Sequence, residues 1–316
     1  MVQLNLMKIF VSGSLAYDII LDYPGKFADH IAPGKVHVLS LSFLVRDVKK
    51  SVGGTAGNIV YNLAMLGLDA VLLGSVGEDG KEILQRYKDM SIDIRLSKIS
   101  KQPTAAAYIM TDSVDNQVAG FHPGAMSEKI KLPHPEACDW PVIAPENPAN
   151  MIALARHYQK LRMRYIFDPG QQSIALSKKD LEICMKGASI LIGNDYEIEV
   201  INKKLRLIEN FRPKNLGQSM IVRTLGPKGS EIILPNGKII KIGVVKARAV
   251  DPTGAGDAYR AGLIAGIVKG LDLKRAGQLG ATAAAFAVEK YGTQNHRFTY
   301  KSIVTRHNRY FADKIS

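Results

Sequence analysis

"AVDPTGAGDAYRAGLIAG", residues 249–266, decides how the rest of the chain is read. Three small residues, Gly254, Ala255 and Gly256, lead into a carboxylate, Asp257, where an apolar helical run begins. Consecutive small residues let backbone N–H groups turn toward one point and form a nest for an anion. The helix N-terminus that follows also favours negative charge. An aspartate there would lie beside a bound phosphate, within reach of a hydroxyl whose proton it could take as the oxygen attacks phosphorus. Aspartate at a helix start is also an ordinary N-cap. The residue types alone leave both readings open.

Working outward, short apolar runs bounded by glycine or proline alternate with helical patterns. "KIFVSG", "DAVLLGSVG", "YIFDPG", "SILIGND" and "SMIVRTLG" read as buried strands of a parallel sheet. "GNIVYNLAMLG", "GKEILQRYKDM", "ANMIALARHYQKL", "SKKDLEICMKG" and "YEIEVINKKLRL" carry apolar residues at helical spacing. This βαβα rhythm predicts an α/β, doubly wound fold. Residues 15–48 and 104–124 break it by alternating apolar and polar residues. They predict a small second sheet over the carboxyl ends of the main strands, where open α/β sheets bind ligands. "DSVDNQVAG" reads as a hairpin turn. "GAGDAYRAGLIAGIVKG" and "LKRAGQLGATAAAFAVEKY" read as two Ala/Gly-rich helices able to pack closely. The whole, residues 1–316, is expected to be one domain with the flap inserted into it.

Composition excludes several classes. The chain has 316 residues, 46% hydrophobic and 22% charged, as an ordinary globular protein does. No apolar run reaches about 18 residues, so no membrane span is expected. "MVQLNLMKIFVSGS" lacks the pattern of a secretory leader, and a cytoplasmic location is expected. Cys138 and Cys184 have no metal-site or disulfide spacing. The charge of +13 would suit an anionic partner. The basic residues are scattered, however, with mild concentrations at "RLIENFRPK" and "KSIVTRHNRYFADK", and no nucleic-acid partner is expected.

Neither a G-x-x-x-x-G-K-[ST] loop nor a G-x-G-x-x-G turn is present. "GGTAGN", 53–58, pairs glycines that admit a close ligand with Asn58, both donor and acceptor; a plain glycine turn is the alternative. Asp18 could accept from a vicinal diol or be a surface acid. In "NDYE", Asn194 and Glu197 share a helix face and could reach one hydrated cation, or form a capping box. "TLGPKG", 224–229, is by itself a turn.

"DPTGAGDAYRAG" resembles the C-terminal signature of the ribokinase-like (PfkB) family of carbohydrate and nucleoside kinases, and "GGTAGN" resembles its second signature. They stand in the right order about 200 residues apart, and the resemblance covers essentially the whole chain. It implies a ribokinase-like, mostly parallel sheet flanked by helices with a small β-sheet lid, and ATP-dependent phosphoryl transfer to a hydroxyl. It implies that Asp257 is the base and that the backbone of Gly254, Ala255 and Gly256 is the anion hole. Gly53, Gly54 and Asn58 would contact sugar or ribose hydroxyls, with Asp18 on the diol. Asn194 and Glu197 match an N-x-x-E motif that helps place phosphate and magnesium, Glu197 acting through water. Thr224, Gly226 and Gly229 match an ATP-contacting turn. The backbone at Asp251 and Thr253 matches a monovalent-cation site, which makes potassium a candidate cofactor beside ATP and Mg2+.

Three stretches resemble the adenosine/nucleoside kinase branch: "GGTAGNIVYNLAMLGL", "FHPGAM" (121–126) and "YGTQNH" (291–296). The expected reaction is therefore phosphorylation of a nucleoside 5′-hydroxyl, adenosine first. A purine needs an aromatic or apolar slot, and Phe121 is the candidate, packing inside the flap being its alternative. The rival acceptor is a sugar such as ribose or fructose. The rival outside the class is a basic nucleic-acid-binding or regulatory protein on a kinase scaffold, against which intact Asp257, Asn58 and Asp18 argue. Arg260 departs from the small or apolar residue often found there, and is expected to pair with phosphate or with Asp257. Flap edges could pair two copies into a homodimer.

Overall fold

The computed structural model describes residues 7–30, 41–95, 97–114, 116–206, 208–209, 212–213 and 219–316. Its main sheet runs in the order Ile239–Ile242, Ser230–Ile233, Met220–Thr224, Ala188–Asn194, Tyr165–Phe167, Trp140–Ile143, Ile9–Ser12, Ala70–Leu73. The last six of these pair parallel, and the first two add an antiparallel hairpin at one edge. Both faces are buried. Ile190 and Ile192 pack into one apolar core and Leu191, between them, into the other. That alternation is the period-2 consequence of a strand covered by helices on both sides. The fold is ribokinase-like α/β.

Several elements were not visible in the sequence. The central strand Trp140–Ile143 contains Pro141, opposite Phe10, and proline cannot donate to a ladder. "DAVLLGSVG" divides at Gly74. Ala70–Leu73 joins the main sheet, and Ser75–Gly77 pairs with Lys98–Ser100. A side chain at 74 would meet Leu15 at 2.9 Å, so the chain bends where Leu15 covers the backbone. The basic "KSIVTRHNRY" stretch is a helix, Tyr300–Tyr310, capped reciprocally by Thr299 and Ser302.

The second sheet orders its strands Asp47–Gly53, Ala16–Asp22, Ala105–Thr111, Gln117–His122. Part of the flap segment, residues 31–40, lies outside the described residues, as does most of "RLIENFRPK". The turn after Thr111 is organised by Asp112, whose carboxylate accepts from the Val114 and Asn116 N–H groups and from Phe27 N–H. The helices Ala255–Val268 and Leu273–Ala287 pack closely, because a side chain at Gly262 would stand 2.7 Å from the Leu279 carbonyl oxygen. No helix among the described residues is long and apolar enough to cross a membrane.

Candidate active site

The site gathers at the carboxyl ends of the parallel strands, beneath the small sheet. The Ala255–Val268 helix begins after Gly254, which holds φ +78°, a left-handed conformation that glycine adopts without strain. No side chain caps this helix end. Asp257 lies in the first turn, and its Oδ2 accepts a 2.8 Å hydrogen bond from Asn58 Nδ2. Capping is therefore not what Asp257 does. The Ala255 N–H donates to the Pro252 carbonyl at 3.2 Å, so this one of the three expected anion-hole groups is already engaged.

Asn58 projects from the Thr55–Met65 helix and is buried. Its Oδ1 accepts from Gln294 Nε2 at 2.9 Å, and the same Nε2 donates to Tyr87 Oη at 2.8 Å. Engaged at both ends, Asn58 keeps one N–H and one lone pair for a ligand. The Asp18 carboxylate lies flat on the backbone of Gly53, where an added Cβ would stand 2.2 Å from Oδ2. Burial, then the charge of Asp251, pushes the Asp18 carboxyl up to about 6. Burial pushes Asp257 up to about 7; Arg260 and the Asn58 hydrogen bond pull it back, while Asp168 and Asp18 push it further. Two carboxylates thus stand close enough to feel each other's charge in a site that water only partly screens.

The register of the small sheet puts Ser51, Asp18, Ala107 and Phe121 in one rung across its strands. Residues directly opposite point to the same face, and Asp18 and Phe121, two strands apart, are separated by roughly 10 Å. Between them Ala107 has no side chain beyond Cβ. Phe121 is 46% exposed, so it is not packed inside the flap.

Asn194 and Glu197 form a reciprocal capping box, each side chain accepting the other's N–H at 2.8 Å. Asn194 sits opposite Thr224 in the parallel ladder, which joins the Thr224–Gly229 turn to the site. Within that turn the Gly229 N–H donates to the Gly226 carbonyl at 3.1 Å. Burial, then the charge of Asp168, raises Glu197 above the usual carboxylate range, against the pull of Arg260. Asp251 has both oxygens occupied by backbone, Oδ1 by Thr253 N–H and Oδ2 by Gly292 N–H, each at 2.9 Å. No group of three His, Cys, Asp or Glu side chains among the described residues could hold a metal by itself.

The direct ion-pair partner of Arg260 is Asp168, which the sequence did not suggest, while the Arg260 charge still acts on Asp257. Its Nε and Nη2 donate to the two oxygens of Asp168, Nη2 to Oδ1 at 2.9 Å. Sequence reasoning also passed over Gln294, although it lies in the quoted "YGTQNH". Another omission is Glu146, in the loop after the unrecognised Trp140–Ile143 strand, fully buried and pushed by burial up to about 7. An 890 Å³ surface groove lined by Lys246, Arg248, Lys301, Arg306 and Arg309 contains none of the site residues.

The pfkB family carbohydrate kinase pattern matches residues 8–298. A nucleoside kinase of Methanocaldococcus jannaschii is 33% identical over 272 residues, covering 84% of this chain and 88% of that protein. One from Methanothermobacter thermautotrophicus is 32% identical over 262 residues, covering 81% and 84%. The structure of Burkholderia thailandensis nucleoside kinase in complex with inosine superposes with a TM-score of 0.83 at 30% identity, covering 97% of this chain and 99% of that one.

Proposed function

The chain belongs to the pfkB carbohydrate kinase family and is an ATP-dependent kinase, and from that premise we propose that it phosphorylates the 5′-hydroxyl of a nucleoside, adenosine among them. The observation that carries the acceptor is the rung Asp18–Ala107–Phe121. A ribose diol accepted by Asp18 and Asn58 would leave its base directed along the sheet, over the gap at Ala107 and against the open ring of Phe121. A free sugar has no π-face to stack there. The nucleoside names of the relatives and the inosine-bound neighbour support the same class.

In this reading Asp257 takes the 5′-hydroxyl proton while oxygen attacks the γ-phosphorus. Backbone N–H groups at the start of its helix face the charge that develops on the transferring group. Asn58 holds Asp257 in position and is itself oriented by Gln294. Asn194, Thr224, Gly226 and Gly229 would hold ATP. Among the described residues no group of three metal-ligating side chains could hold the ion by itself, so Mg2+ would be bound by the nucleotide phosphates, with Glu197 reaching it through water. Magnesium supplies charge neutralisation of the phosphates. Potassium would take backbone carbonyls near Asp251 and Thr253. The small sheet would act as a lid that excludes water, a competing acceptor. Its opposite face exposes Val48, Tyr108 and Val118, which supports a lid-to-lid homodimer, testable by sedimentation equilibrium.

A coupled ADP-release assay across nucleosides and sugars tests the proposal. Turnover is expected on adenosine or inosine and absent on ribose and fructose; turnover on sugars alone would replace the nucleoside reading with the sugar-kinase one.

A further inference from the structure

We infer that Arg260, anchored by Asp168, is a positioning residue that fixes the start of the Asp257 helix and keeps Asp257 charged for its work. The inference rests on the reading of Asp257 as the base.

The pair joins residues 92 positions apart, both buried, the Arg260 side chain 9% exposed and that of Asp168 not at all. Two parallel N–H···O contacts make a planar fork that allows one orientation of the guanidinium. That orientation serves three elements. Asp168 follows the Tyr165–Phe167 strand. Nη1 lies against Gly256, where an added Cβ would stand 2.8 Å away, so the guanidinium supports the backbone of the anion hole from behind. Nη2 stands 3.9 Å from Glu197 Oε2, which ties in the helix carrying the N-x-x-E pair. A small or apolar residue at 260 would leave Asp168 as a buried charge without its cation.

The charges facing Asp257 explain why it matters for the reaction. Asp18 approaches from the small sheet and Asp168 from the strand end, and both raise its proton affinity. Asn58 opposes them by a hydrogen bond from the Thr55–Met65 helix, and Arg260 opposes them from Asp257's own helix. A carboxylate hemmed in by carboxylates keeps its proton at neutral pH unless a cation is held nearby. A fixed arginine, its guanidinium held by Asp168, supplies that cation.

The test is the pH profile of kcat at saturating ATP and nucleoside for wild type, Arg260→Met, Arg260→Lys and the double variant Asp168→Asn/Arg260→Met, with thermal melts as a control on folding. In Arg260→Met the acid limb should move up by about one pH unit, since a nearby opposite charge shifts a carboxyl by about 1–3 units. Arg260→Lys keeps a cation and should move it less. The double variant also removes the Asp168 charge, and its limb should fall between wild type and Arg260→Met. Should Arg260→Met fail to fold, the double variant's limb, expected above wild type, still decides. Activity lost equally at every pH with the limb unmoved would overturn the inference. So would a double variant whose limb coincides with wild type. Full turnover by Asp257→Asn would instead overturn the reading of Asp257 as base, an outcome the Arg260 profiles do not imitate.

Discussion

Replacing Asp257 by asparagine should make the protein more stable and nearly inactive. The carboxyl rises from its ordinary 3.8 to about 7, first because it is buried. A rise of roughly three pKa units at about 1.4 kcal/mol each sets a ceiling of about 4 kcal/mol. The residue as a whole is only half-buried, and screening by solvent reduces this to about 1–2 kcal/mol. The sign follows from linkage. A folded-state value above the unfolded one means the native state holds the proton more tightly. The stability so gained is complete below about pH 4 and is lost as pH rises through about 7. Asparagine keeps the shape and can still accept the Asn58 hydrogen bond, but never carries the charge. At pH 8 the Asp257→Asn protein should therefore melt about 2–4 °C above wild type. At pH 5 the margin should be smaller, and turnover by ADP release should drop about 10²-fold or more. Differential scanning calorimetry at the two pH values measures the first effect. A variant that melts below wild type at pH 8 would show instead that the charge stabilises the helix end.

Other expectations concern the acceptor. Phe121→Ala should raise KM for nucleosides about tenfold with kcat nearly kept, stacking on a base being worth about 1–3 kcal/mol; an unchanged KM would remove Phe121 from the site. Gly53→Ala would press a methyl group onto the Asp18 carboxylate. Loss of charge-assisted hydrogen bonds to the diol should raise nucleoside KM about tenfold or more, leaving KM for ATP in place. With Asp18 pushed up to about 6, nucleoside KM should climb as pH falls below that value and the carboxylate gains its proton. A KM flat from pH 7 to 5 would show that Asp18 does not hold the diol.

How much of this was legible beforehand varied with the physics involved. Apolar runs such as "SILIGND" and "SMIVRTLG" named buried parallel strands because both their faces are covered. Trp140–Ile143 was hidden by Pro141, and the C-terminal helix by its own basic residues. Asp257 and Asn58 were legible as candidates because their glycine-rich settings admit a ligand, whereas Asp18, in "GSLAYDIILDYP", stood out only through the family resemblance. The contact between Asp257 and Asn58 spans 199 positions and needs the packing of two helices to appear. The place of Phe121 beside Asp18 depends on strand register, which alternation of apolar and polar residues suggests but does not number. Arg260 was conspicuous in the sequence while its partner was not. Asp168 reads as the end of a strand and a turn before Pro169, and only the folded sheet brings it to the helix.

The proposed reaction moves phosphorus from ATP to the 5′-oxygen of a nucleoside with Asp257 as base. Phosphorus-31 NMR of a reaction containing ATP, Mg2+ and adenosine or inosine observes that transfer directly. Nucleoside 5′-monophosphate and ADP should form in equal amounts, about 10²-fold or more slowly with Asp257→Ala. Inorganic phosphate without a nucleotide product, a 2′- or 3′-phosphate, or a phosphorylated sugar formed while nucleosides stay untouched would contradict the proposed reaction.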